Sequence, residues 1–294
     1  MENLRKDVIE RLKTNKDGSY STQANRQRIL MMCVDQLTEK YGKKLKVEDL
    51  KGRHINHLLR EWKADGVSTG TLKNRMSHLR WLARKIGNDG LVKDNATYGI
   101  EDRKYVTNID KSQTVTDAQL SQLSPYIRQS VELQKVFGLR REEATKFQPS
   151  WALAGYDPYS AKEIQIKPQW AKGGRHRVIP ITNQAQRDAL MKALTMAGDG
   201  SLIPPDRTYK DHIAKFERET AKIGLGQTHG LRHLYAQNRY KELTGFDCPA
   251  FSGVRELSED EKALDKTARQ TISHELGHNR LSVTGIYLGS WSYK

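Results

Sequence analysis

Near its carboxyl end the sequence reads His274-Glu275-Leu276-Gly277-His278. This fits the H-E-x-x-H pattern, in which two histidines one helical turn apart bind zinc and the glutamate activates water. A catalytic zinc needs a third protein ligand. The extended form of the pattern places a glycine and a histidine three and six residues after the second histidine. Leu281 and Thr284 stand there instead. The other common form takes a glutamate further on, and no Asp or Glu follows His278 before Lys294. A zinc metalloprotease is therefore a poor reading, and neither a metal nor another cofactor is expected.

A second set of residues accounts for more of the chain. It begins with Gly138-Leu139-Arg140-Arg141-Glu142-Glu143 and continues with Lys172 in Ala171-Lys172-Gly173-Gly174. Thr228-His229-Gly230-Leu231-Arg232-His233 follows, then Leu276-Gly277-His278 and, nine residues on, Tyr287. Taken singly each has a plainer explanation: a solvated arginine at a helix start, a hairpin lysine, a helix-terminal histidine, one tyrosine among 12. In this order and with these flanks the set resembles the tyrosine recombinases, the phage integrase family, from about Asp117 onward. The helical N-terminal part is similar, less specifically, to that family's core-binding, SAM-like domain.

The resemblance implies a site-specific recombinase that cuts and rejoins DNA through a 3′-phosphotyrosyl intermediate. Attack on a phosphodiester builds negative charge on the non-bridging oxygens. Arginine suits that task because its planar fork donates paired hydrogen bonds and stays charged. Arg140 and Arg232 are the implied clamps, and His229, three residues before Arg232, shares its helix face. Tyr287 is the implied nucleophile and Lys172 the implied proton donor to the departing 5′ oxygen. His229 assists proton movement near the tyrosine, and His278 hydrogen-bonds the phosphate. The covalent link conserves bond energy, so the chemistry calls for neither ATP nor a metal. Integration and excision of a mobile element is the favoured use. Resolution of chromosome or plasmid dimers, and a DNA-binding relative without activity, are the alternatives.

The elements that must position these groups are mainly helical. Asn3–Lys13 reads as a charged helix. Ser21 or Thr22 is placed to cap a second, with Ile29, Leu30, Cys33, Val34, Leu37 and Tyr41 inward and Gly42 at its end. A third covers about His54–Asp65. Ser68 or Thr69 caps a fourth, whose polar face carries Lys73, Ser77, Arg80 and Arg84, a stripe able to lie along a phosphate backbone. Residues 88–113 lack periodicity and read as a connector, with a domain boundary at 108. The expected domains are 1–108, helical and DNA-binding, and 109–294, an α+β catalytic domain.

In the second part Asp117 is placed to cap one short helix, and Ser124-Pro125 opens another to Phe137. Glu163–Lys167 and Arg177–Ile181 alternate as a small antiparallel hairpin. Helices follow at about Asn183–Met196, Tyr209–Ile223 and His229–Leu243. Thr244–Lys266 reads as an inserted surface segment. It lengthens the spacing from Arg232 to His278 beyond that usual in the family. Glu142 stands where the family often has a small residue. Only seven residues follow Tyr287, where many relatives carry a helix that docks on a neighbour. No arm-binding domain is evident, so a minimal two-domain enzyme is expected.

Composition fits these readings. The 294 residues include 50 Lys and Arg against 35 Asp and Glu, a formal charge of +15. Both expected domains share the excess, which points to a polyanionic partner. Two cysteines, Cys33 and Cys248, exclude a disulfide framework. No apolar run approaches the roughly 20 residues of a membrane span, and the charged N-terminus does not suit a signal peptide. The expected partner is double-stranded DNA, bound by a homo-tetramer on paired sites, with DNA-bending accessory proteins as a further class. The expected location is cytoplasmic, at the nucleoid, and no membrane partner is expected.

Overall fold

Ser19 and Ser68 start the two longest helices of the first hundred residues, their hydroxyls accepting from the amides of Thr22 at 3.2 Å and Thr71 at 3.4 Å. The computed structural model describes residues 3–171, 174–278 and 280–292, and the chain divides into two units, Met1–Lys104 and Tyr105–Lys294. In the first unit lie α1 (Asn3–Thr14), α2 (Tyr20–Tyr41), α3 (Gly52–Ala64) and α4 (Thr69–Lys85). The α2 cap falls before Ser21 and Thr22 because Gly18, at φ +88°, closes the preceding turn and leaves Ser19 extended. Val8, Leu30, Val34, Leu58, Trp62 and Met76 fill the space between the helices. Asp17 accepts from the Trp81 indole at 2.9 Å, tying the α1–α2 turn to α4.

The second unit begins with three helices around the first arginine motif: α5 (Asp117–Ser121), α6 (Pro125–Phe137) and α7 (Arg141–Thr145). Thr116, not Asp117, caps α5, its hydroxyl accepting from Gln119 N while the Gln119 side chain accepts in return. After α8 (Pro149–Ala152) come β1 (Glu163–Ile166) and β2 (Arg177–Pro180), antiparallel with Ile164 opposite Ile179. Ile164, Ile166 and Ile179 turn into the core and Val178 outward, as a period of two requires. A single 3₁₀ turn, Pro168–Trp170, interrupts the chain between the strands. Lys172 and Gly173 lie outside the described residues.

Then come α9 (Gln184–Ala197), α10 (Tyr209–Lys222), α11 (His229–Thr244), α12 (Pro249–Ser252), α13 (Glu259–Glu275) and α14 (Leu281–Leu288). Helix α11 packs against α6, α13 and α14, and Phe137, Ala236, Tyr240, Ile272, Leu276 and Leu288 are buried in that core. The expected surface segment 244–266 is largely exposed, apart from buried Cys248–Ala250, and is partly helical: it contains α12 and the first two turns of α13. Ser258 opens α13 with a reciprocal cap to Glu261. The charged run is the solvent face of that helix, and Ala268, Ile272 and Ser273 are buried only in its later turns. Among the described residues no helix is long and apolar enough to cross a membrane.

The residues after α14 are fastened to the same unit. The Asn108 side chain donates to Ser290 O at 2.9 Å and accepts from Ser290 N at 2.7 Å. Arg269 donates to Gly289 O at 3.0 Å, and the Trp291 indole donates to Asp265 at 3.0 Å.

Candidate active site

Helix α11 supplies the stem of the site. His229, Arg232 and His233 occupy its first turns, and Arg232 is 1% exposed. Thr228, just before the helix, donates its hydroxyl to Gln134 Oε1 at 2.7 Å, pinning this end to α6. The Arg232 guanidinium donates to the carbonyls of Gly138 and Leu276, reaches His278 Nε2 at 3.3 Å, and points Nε at the Tyr287 hydroxyl at 3.3 Å. Gly138 ends α6 in a left-handed conformation, φ +61°, against the Tyr235 ring. A Cβ there would lie 2.5 Å from a ring carbon, so only glycine brings this carbonyl to Arg232.

Arg140 stands immediately before α7, partly exposed, and donates to Glu143 Oε1 at 2.7 Å. The Glu143 carboxylate is 0% exposed. Arg177, at the start of β2, grips it with two bonds of 3.1 and 2.7 Å, and an Arg232 terminal nitrogen lies 4.0 Å away. Burial alone raises the Glu143 pKa, but the guanidiniums of Arg177, Arg232 and Arg140 override it and hold the group at about 2. Burial brings Arg232 down to about 10, which leaves it charged at neutral pH. One carboxylate thus faces three guanidiniums, and the surplus is positive.

Tyr287 is carried by α14 and is 5% exposed. Its hydroxyl lies 3.4 Å from His229 Nε2. The His278 ring stacks on it at 5.4 Å between centroids, and the His233 ring lies at 4.6 Å. Burial, reinforced by the charge of Arg232 and its neighbours, lowers His278 to about 3. Burial likewise lowers His233 to about 4 and takes His229 below the usual imidazole range. The tyrosine is therefore surrounded by neutral imidazoles beside a cationic cluster. That arrangement suits a phenol that gives up its proton while charge grows on a phosphate. A cleft of about 230 Å³, lined in part by Arg140, Arg141, Thr228 and His229 but not by Tyr287, opens at the start of α11.

Five of the six expected catalytic residues, Arg140, His229, Arg232, His278 and Tyr287, meet within this cluster. The sixth, Lys172, lies outside the described residues. The four basic-stripe residues of α4 belong to the first unit and differ from one another. Lys73 is paired with Asp102 at 2.6 Å. Arg80 donates to Lys93 O at 2.6 Å and Asn95 Oδ1 at 2.8 Å, while Ser77 and Arg84 are exposed.

Arg177 has no counterpart among the expected site residues. It stands at the start of a strand whose alternation reads as hairpin and nothing more. The zinc-like motif is not built. Helix α13 ends at Glu275, Gly277 turns the chain at φ +65°, and His278 lies beyond the helix, so it cannot share a helical face with the exposed His274. Among the described residues no cluster of three or more His, Cys, Asp or Glu could hold a metal ion.

Residues 1–92 match the family model described as phage integrase, N-terminal, and residues 90–238 match that described as integrase. No curated protein sequence matches the chain. Among solved structures the chain is similar to a lambda integrase tetramer bound to a Holliday junction, at 15% identity and a TM-score of 0.61, covering 99% of this chain and 78% of that one. A lambda integrase dimer bound to a COC′ core site is similar at 17% identity and a TM-score of 0.58, over 95% of each chain. The Tn1549 transposon integrase in complex with circular intermediate DNA is similar at 13% identity and a TM-score of 0.57, covering 100% of this chain and 97% of that one. At these identities the likeness is one of fold. The integrase match takes in the Arg140 and Arg232 motifs and ends before His278 and Tyr287, and the two models together span most of the sequence: the chain belongs to the phage integrase family of tyrosine recombinases.

Proposed function

We propose that this recombinase breaks and rejoins duplex DNA with Tyr287 as nucleophile, in the integration and excision of a mobile element. The Tyr287 oxygen attacks phosphorus and the bond from phosphorus to the 5′ oxygen breaks. The phenolic proton passes to His229 Nε2, and Lys172 protonates the departing oxygen. A 5′ hydroxyl from another strand then reverses the step, giving up its proton as the phosphotyrosyl bond breaks. Arg140, Arg232 and His278 hold the non-bridging oxygens throughout. Net bonding is conserved, so no external energy source enters.

One observation carries the reading: the Tyr287 hydroxyl lies 3.3 Å from Arg232 Nε and 3.4 Å from His229 Nε2. A proton acceptor and a phosphate clamp thus flank one oxygen. The likeness to lambda and Tn1549 integrases supports DNA as substrate and a mobile element as context, and it favours four protomers on two paired sites. The first unit is taken as the second DNA-binding surface, with Ser77 and Arg84 as its candidate contacts on α4.

The test is a nicked duplex carrying the repeat found at the boundaries of the genomic segment that encodes the chain. Loss of the short strand beyond the nick prevents rejoining, so a covalent adduct accumulates that survives denaturing electrophoresis. Tyr287→Phe binds the duplex and traps nothing. An adduct formed by Tyr287→Phe would refute the assignment.

A further inference from the structure

Glu275, the glutamate of the His-Glu-Leu-Gly-His run, has no part in the reaction proposed above, yet it is 2% exposed. Two side chains one turn apart on α11 hold its carboxylate. The Tyr235 hydroxyl donates to Oε2 at 2.8 Å, and Arg239 Nε donates to Oε1 at 3.1 Å and Oε2 at 3.3 Å. Arg239 is itself steadied by Glu242 at 3.0 Å.

What these groups fasten is the point where α13 ends, and its carbonyls face the arginines. Glu275 O accepts from Arg177 Nε at 2.9 Å, and Leu276 O accepts from Arg232. The remaining carbonyl on Arg232 belongs to Gly138, which sits against the Tyr235 ring. Tyr235 therefore touches both supports of the Arg232 guanidinium: the residue-138 turn with its ring and the α13 terminus through its hydroxyl. A hydrophobic pair could fill this space, but it would not fix how far α13 runs along α11. Hydrogen bonds do so, because they weaken steeply with distance and angle.

We infer that the Tyr235–Glu275–Arg239 clasp is a positioning device. By fastening the end of α13 to α11 it sets the carbonyls of Gly138, Glu275 and Leu276, and through them the planes in which Arg232 and Arg177 are presented. This rests on the reading of Arg232 as a phosphate clamp. None of the three clasp residues contacts the phosphate in it.

The experiment compares Glu275→Leu, Glu275→Gln, Tyr235→Phe and Ser258→Ala in the full chain. It measures single-turnover cleavage of the nicked boundary-repeat duplex, affinity for that duplex, and thermal unfolding. Misplacing a reacting geometry by about 1 Å costs on the order of a hundredfold in rate. Glu275→Leu is expected to lose cleavage on that order with duplex affinity unchanged. Glu275→Gln, which keeps an acceptor for Tyr235, recovers most of the rate. Ser258→Ala lowers unfolding temperature alone.

Should Glu275→Leu fail to fold, Tyr235→Phe carries the same expectation with only an oxygen removed. Wild-type cleavage by a folded Glu275→Leu, or a rate loss that Ser258→Ala reproduces at equal loss of stability, overturns the inference. If wild type forms no adduct, the reading of the reaction has failed instead. The clasp is then judged by the ¹⁵N resonance of Arg232 Nε, which Glu275→Leu must shift and Ser258→Ala must not.

Discussion

Arg232 Nε lies 3.3 Å from the Tyr287 hydroxyl, while the other end of the same guanidinium is spent on the carbonyls of Gly138 and Leu276. The arginine is thus held from behind and offers an edge to the oxygen proposed as nucleophile. A lysine has one ammonium and no fork, so it cannot hold both carbonyls in this geometry. Arg232→Lys is expected to lower single-turnover cleavage by at least about a hundredfold, in the range seen when a transition-state donor is removed. Duplex affinity should change far less. Retention of wild-type cleavage would contradict the role given to this side chain.

Glu143 is the only carboxylate described among the clustered arginines Arg140, Arg177 and Arg232. Removing its charge leaves buried guanidiniums without a counter-ion. Breaking a buried pair in this way costs about 3–5 kcal/mol. Glu143→Gln is expected to destabilise the catalytic unit by that order in urea unfolding. Phosphate or DNA added to the variant should restore part of the loss, since either supplies the missing negative charge.

Acid sensitivity follows from groups whose folded pKa values are depressed. Burial and the neighbouring arginines lower His278 from 6.5 to about 3, and burial lowers His233 from 6.5 to about 4. The arginines, against burial, lower Glu143 from 4.5 to about 2. Between each pair of values the unfolded chain binds a proton that the folded chain does not, so stability rises with pH across the window. The stabilisation is complete above pH 6.5 and is lost as pH falls, first through the histidines and then through Glu143. Urea midpoints measured from pH 7 downward should fall continuously. A His233→Asn, His278→Asn double variant should flatten the upper part of that curve.

On α4 the braced Arg80 and the exposed Arg84 make opposite forecasts. Arg84 is exposed, so Arg84→Ala should leave folding intact and reduce the salt slope of duplex binding by about one. Arg80 braces the chain after α4 through Lys93 O and Asn95. Arg80→Ala should lower the unfolding temperature of the first unit whether or not DNA is present. Equal effects of the two substitutions on the salt slope would overturn this division.

Much of this architecture is legible in the sequence where burial is one-sided. The stripes on α2 and α4 follow from apolar residues at helical spacing, and Ile164, Ile166 and Ile179 give the strands by alternation. Five residues of the proposed catalytic set could be picked out because the family resemblance rests on residue types, order and flanks, and the fold brings those five together. Helix α13 is hidden because its first turns bury almost nothing, so its charges carry no periodic signal. The reciprocal cap from Ser258 to Glu261 was the cue available. Arg177 and Glu275 are hidden for a different reason. Their partners are far along the chain, and only the fold brings Glu143 to the one and Tyr235 to the other.

The tie between Asn108 and Ser290 gives the Tyr287 phenol a short leash. Three residues of fully extended backbone reach only about 11 Å. While that knot holds, the Tyr287 hydroxyl stays beside Arg232 of its own polypeptide, and in the reaction proposed above it would serve a bond laid against that arginine. Any hand-over of the tail to an adjoining subunit must begin by untying it.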